Sequence, residues 1–188
     1  MKTKCNRNNL LIVGACGVGK TWLMKQLLIE NNKQKKIGRF VFHEAKDYII
    51  VGKYDGSTFE GSDKLSMSVM ADLDMMLEYI NSVNKFAIYE GDRFTNYKFI
   101  NKANPIIYKI LGDGQQGRTQ RGSEQSSRQI KSIQTRVNNI NSHTDYKSSK
   151  ECYISVVDLL LRPEKYTFDD IVNNASNKNY NKSQTILF

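Results

Sequence analysis

Apolar residues fall along this chain in short blocks separated by longer polar stretches. The first block, Leu10-Leu11-Ile12-Val13, is continuous and brief, as expected of a strand buried on both faces. Behind it, Trp22-Leu23-Met24 and Leu27-Leu28-Ile29 recur at helical spacing. Residues 31–36 read as a polar, basic turn. Residues 38–43 and 48–51 are β-rich and form either a hairpin or consecutive strands of a sheet. Val69, Leu73, Met76, Leu77 and Ile80 predict an amphipathic helix over residues 66–82, with the methionines as core filler. Phe86-Ala87-Ile88-Tyr89 is a second buried strand, followed by a short helix over residues 95–103. Residues 105–111 make a third core strand, where Pro105 is tolerated at the first position. Residues 142–150 read as a loop. The run over residues 153–161 suits either a last strand or a packed helix, and periodicity does not decide between them. A short helix starting near residues 168–172 and, at 185–188, either an edge strand or a dangling end complete the expectation.

The join between the first strand and first helix carries the chemistry. Gly14-Ala15-Cys16-Gly17-Val18-Gly19-Lys20-Thr21 matches G-x-x-x-x-G-K-[ST], the phosphate-binding P-loop pattern. Glycines let the backbone curl so that its N–H groups face a phosphate. The helix start adds unsatisfied N–H groups and a positive dipole end. Lys20 is placed to reach the β- and γ-phosphates of a nucleoside triphosphate, and the Thr21 hydroxyl to hold Mg2+. Alternating strands and helices around such a loop predict an α/β fold: a three-layer P-loop NTPase-type sandwich with a mainly parallel sheet.

Two further stretches bear on the reaction. Residues 52–63, rich in glycine, hydroxyls and acids, follow a strand, where α/β proteins place ligand chemistry. Asp55 is the expected base toward an acceptor hydroxyl, with Asp63 the second choice. The second buried strand ends in Glu90-Gly91-Asp92-Arg93-Phe94. Glu90 is expected beside Mg2+, Asp92 as a hydroxyl organiser, and Arg93 against acceptor or phosphate. Residues 113–142 are polar and basic, carrying Arg118, Arg121, Arg128, Lys131 and Arg136. With a helix over residues 123–140, Arg128 and Arg136 lie about two turns apart on a shared face. Such a region reads as an Arg-rich helical lid whose Arg121 and Arg128 meet phosphate charge. A solvated basic helix is the commoner use of such a stretch.

At 188 residues the chain is expected to be a single domain. Its formal net charge of +9 exceeds what a nucleotide alone requires and favours a polyanion such as nucleic acid. Cys5, Cys16 and Cys152 have no metal or disulfide spacing and suit a reducing interior. No apolar run nears the ~18–20 residues of a membrane span, and no secretory signal is evident, so a cytoplasmic protein without membrane partners is expected. His43 and His143 have no ligand partners at metal spacing. A guanine-reading N-K-x-D is missing, since Asn84-Lys85 precedes Phe86-Ala87, which disfavours a signalling GTPase.

Gly52-Lys53-Tyr54-Asp55-Gly56 with Phe59, Gly61, Asp63 and Leu65-Ser66-Met67-Ser68, followed by Tyr89-Glu90-Gly91-Asp92-Arg93-Phe94, resembles a group of phage P-loop kinases. Arg121-Gly122-Ser123-Glu124-Gln125 and Thr135-Arg136-Val137-Asn138-Asn139 are similar to their lid. The group is similar to the 5-hydroxymethyluracil DNA kinases. The resemblance implies transfer of the γ-phosphoryl of ATP, with Mg2+, to the hydroxymethyl group of a modified pyrimidine in DNA, priming further base modification. The hydroxymethyl group projects into the major groove as the thymine methyl does, and Tyr54 and Phe59 are candidate stacking partners. Two alternatives stand beside this: a free deoxynucleoside or nucleoside monophosphate kinase, and a noncatalytic or ATPase-coupled nucleic-acid-binding protein.

Overall fold

The computed structural model describes residues 9–28, 33–57, 60–120, 122 and 125–161. Arg121, Phe59 and the expected elements at 168–172 and 185–188 lie outside the described residues. Five strands run parallel in space in the order β4 (Tyr48–Val51), β5 (Phe86–Glu90), β1 (Asn9–Gly14), β6 (Ile106–Ile110) and β7 (Thr144–Tyr146). Antiparallel pairing adds β3 (Phe40–Glu44) and then β2 (Lys33–Ile37) beyond β4. The result is a mixed, mostly parallel α/β sheet of 7 strands among the described residues.

Alternation along each central strand divides the core in two. Leu11 and Val13 of β1, Ile49 and Val51 of β4, and Ala87 and Tyr89 of β5 face one side. There they meet Leu73, Met76 and Ile80 of α2 (Leu73–Val83) and Phe99 and Ala103 of α3 (Tyr97–Ala103). Leu10, Ile12, Ile50 and Ile88 face the other side, against Leu23, Met24 and Leu27 of α1 (Lys20–Leu27) and Cys152, Val156 and Leu159 of α6 (Ser149–Leu161). Helices therefore cover both faces, and this explains why the central strands are apolar throughout rather than alternating.

Four local expectations change and one open choice is decided. Residues 33–37 form strand β2 rather than a turn. Its lysines are tolerated because it is an edge strand, where charge blocks further pairing. The loop expected at 142–150 contains the parallel edge strand β7. The ambiguous 153–161 run lies within helix α6, whose buried Cys152, Val156 and Leu159 recur at helical spacing. The expected 123–140 helix is the shorter α5 (Ser127–Asn138), begun by a Ser126–Gln129 capping box, and a separate α4 (Gln115–Gln120) precedes it. The helix expected over 66–82 likewise divides into a 3₁₀ turn at Val69–Asp72 and α2.

Candidate functional site: a cleft at the carboxyl ends of β1, β5 and β6

From β1 the chain crosses to the far edge, returns inward through β2, β3 and β4 to β5 on one side of β1, and then passes to β6 on the other. Such a reversal leaves a crevice outside the strand ends, the usual ligand position in open α/β sheets. A cleft of about 1580 Å³ opens there, walled by the 14–21 loop, Glu60, Ser62 and Asp63 of the loop after β4, the acidic turn at the end of β5, α4, α5 and the β7–α6 turn. Gly17 and Gly19 both have φ of 93°, in the left-handed region where a side chain is strained. Gly19 leaves the start of α1 without a side-chain cap. Lys20 folds back over the loop, its Nζ donating to the carbonyl oxygens of Gly14 and Ala15, each at 2.9 Å. A flexible ammonium resting on two carbonyls is held at the loop while remaining able to exchange them for a stronger anion.

Beside the loop, Glu90 at the end of β5 is buried, and its Oε1 accepts hydrogen bonds from the Thr21 hydroxyl at 3.2 Å and the Tyr54 hydroxyl at 3.1 Å. Burial raises its carboxyl to about 7, with Asp63 adding to the rise while Lys20, Tyr54 and Thr21 oppose it. Burial, with Glu90 next, raises the Tyr54 phenol well above its ordinary value and keeps it a donor. Reciprocal backbone hydrogen bonds between Lys53 and Gly61 close the acidic loop and bring Gly61 against this carboxylate and Ser62 against Gly91. A Cβ on Gly61 would lie 2.2 Å from Glu90 Oε1, so only glycine admits this approach.

Asp92 also lines the cleft, paired with Arg136 of α5 at 2.8 Å and accepting from the Thr95 hydroxyl at 3.2 Å. Arg93 donates to Met67 Sδ and to the Asp63 carbonyl oxygen at 3.3 Å. Asp63 lines the same wall. Asp55 does not: it is exposed, and its carboxylate is occupied by Ser57 and by Lys53 and Lys64 at 3.3 and 3.4 Å. Hydrogen bonding from Ser57 first, and then from the lysines, holds the Asp55 carboxyl well below the usual carboxylate range. Arg128 is exposed and stands off the cleft wall. Thus the structure brings together residues 14 and 16–21 with Glu90, Asp92 and Arg93 around one space, and leaves Asp55 and Arg128 outside it.

Arg118 and three glycines make a contact that the basic composition did not single out. Ideal Cβ atoms on Gly17, Gly114 and Gly117 would lie 2.2 Å from the Gly114 oxygen, 2.0 Å from the Cys16 oxygen and 2.1 Å from the Gly17 oxygen, respectively. The start of α4 is thus laid backbone to backbone on the 14–21 loop. Arg118 completes the contact by donating to the Cys16 oxygen at 2.9 Å and to the Asp113 oxygen. The legible signal was the spacing Gly112, Gly114, Gly117, Arg118 directly after a core strand. Of the two uses open to Tyr54, base stacking or burial, the structure shows burial, with its hydroxyl serving Glu90.

Compared with protein-family models, curated proteins and solved structures, the chain has no match. Among the described residues, no helix is long and apolar enough to cross a membrane, and no three His, Cys, Asp or Glu side chains cluster to hold a metal.

Proposed function

We propose that the protein is an ATP-dependent phosphotransferase, a P-loop kinase, acting on the hydroxymethyl group of 5-hydroxymethyluracil in DNA. The observation that carries the phosphotransfer reading is the convergence of Lys20, Thr21 and Glu90 from two adjacent parallel strands onto one cleft. The loop N–H groups and the start of α1 bind the phosphate tail. Lys20 leaves the Gly14 and Ala15 oxygens to meet phosphate oxygens, and Arg136, released from Asp92, adds charge at the transferring group. Arg118 fixes the loop from behind.

Mg2+ fits the Thr21–Glu90 pair by donor chemistry, because both offer hard oxygens and such sites use one or two protein ligands alongside phosphates and water. Bound there, it neutralises charge between the phosphates. On the acceptor side, Asp63 is favoured over Asp55 as the base, because it lines the cleft and has no ion-pair partner among the described residues. The nature of the acceptor rests on the resemblance above and on the net charge of +9.

Incubation with labelled ATP, Mg2+ and a panel of hydroxymethyluracil DNA, plain DNA, nucleosides and nucleoside monophosphates tests this. Label is expected only on the modified DNA, and Lys20→Ala is expected to lower transfer by about a hundredfold or more. Label confined to small acceptors would replace the DNA substrate with a free one, and hydrolysis without any labelled acceptor would remove the kinase reading.

A further inference from the structure

We infer that the rim formed by Met67, Arg93, Tyr97 and Lys98 carries the nucleic-acid strand that flanks the acceptor nucleotide. The inference rests on the reading of the acceptor as a base within DNA. Met67 and Tyr97 are 85 % and 79 % exposed, the most open large apolar side chains among the described residues. A single exposed apolar residue needs no explanation. These two lie on segments that are pinned together by cations at the mouth of a polar cleft. Arg93 donates to Met67 Sδ from inside the cleft wall, and Lys98 Nζ donates to the Met70 oxygen at 2.9 Å. The two contacts tie the Asp92–Phe94 turn and the first turn of α3 to the segment before α2.

Neither cation meets a carboxylate among the described residues. Nearby lysines do: Lys53 and Lys64 pair with Asp55, and Lys102 with Asp74. Arg93 and Lys98 therefore hold no ion pair among the described residues and are open to an external anion, with Asp63 and Asp92 the acids that flank Arg93. A flat aromatic ring and an unbranched apolar side chain set between such cations match a strand whose bases stack while its phosphates meet positive charge. Arg93 links the rim to the cleft, since it lines the cleft beside Asp63 and donates to Met67, so a strand on the rim runs past the acceptor position.

The test uses the full chain and a fluorescent duplex bearing one hydroxymethyluracil. Affinity is measured by anisotropy over a salt series, and label transfer from ATP by polymer counting. All of these side chains are exposed or half-exposed, so truncation spares the core. Met67→Ala with Tyr97→Ala is expected to weaken duplex binding about tenfold and to reduce transfer at subsaturating DNA, with ATP affinity unchanged. Lys98→Ala is expected to shallow the salt slope by about one. If the wild type labels the duplex and the double variant binds and labels it equally well, the inference is overturned while the kinase reading stands, and the patch serves a protein contact or none. If the wild type neither binds nor labels the duplex, both are overturned.

Discussion

Glu90 shows how one side chain is placed against its own preference. A carboxylate that is 2 % exposed, with two hydroxyl donors and one lysine nearby, sits at about 7 rather than at an ordinary acidic value. The sign follows directly: an acid whose folded value is raised costs stability as pH climbs from about 4.5, and the full cost is present above about 7. Glu90→Gln keeps an oxygen acceptor for Thr21 and Tyr54 and removes the buried charge. At pH 8 without nucleotide the variant is expected to be more stable than wild type, by up to about 3 kcal/mol, with the gain gone at pH 4. Transfer is expected to be lost. Thermal melts at both pH values, beside the labelling assay, check the two halves; equal stability at pH 8 would mean that the carboxylate is neutralised by other means. Such a site exchanges stability for function.

At the scale of elements, the interlock between α4 and the 14–21 loop governs how the loop is shaped. Backbone oxygens occupy the positions where Cβ atoms would stand on Gly17, Gly114 and Gly117, so neither partner can move away as a flexible side chain would. Gly117→Ala is expected to lift α4 from the loop, costing about 1–3 kcal/mol by overpacking and at least tenfold in ATP affinity. Fluorescent nucleotide titration reads the second effect. An alanine variant that binds nucleotide as wild type does would show that the contact shapes nothing in the site. Neighbouring Gly112, which has open space where a Cβ would lie but a φ of 110°, separates local strain from the interlock. Its alanine variant is expected to lose stability and to retain α4 on the loop.

Over the whole molecule, electrostatics joins the distal antiparallel edge to the core. Glu44 of β3 binds Lys35 of β2, Lys85 before β5, and the Tyr79 hydroxyl of α2. Burial alone would raise its carboxyl, but these donors outweigh burial and hold it at about 2. The sign is opposite to that of Glu90. Its stabilisation is complete above the ordinary value near 4.5 and is lost as pH falls through about 2. Glu44→Gln is therefore expected to flatten the stability loss between about pH 4.5 and 2, as measured by denaturant titration across that range. An unchanged acid slope would remove Glu44 from the account.

Hydrophobic order along the chain determined the central strands and the helices between them, and the glycine spacing determined the tight 14–21 loop, because each rests on contacts near in sequence or on backbone freedom that glycine alone supplies. The burial of Tyr54 and the choice between Asp55 and Asp63 at the cleft were not legible: all three lie in one polar loop, and only the Lys53–Gly61 pairing decides which of the acids faces inward. Lys-rich β2 and the short β7 depend on neighbours far along the chain, which supply the hydrogen bonds that their own composition does not ask for. The same holds for Arg118, whose partner at Cys16 comes from the opposite end of the described chain. Local pattern decided the central strands and the helices between them; long-range closure decided the edge strands and which of the charged side chains share one cleft.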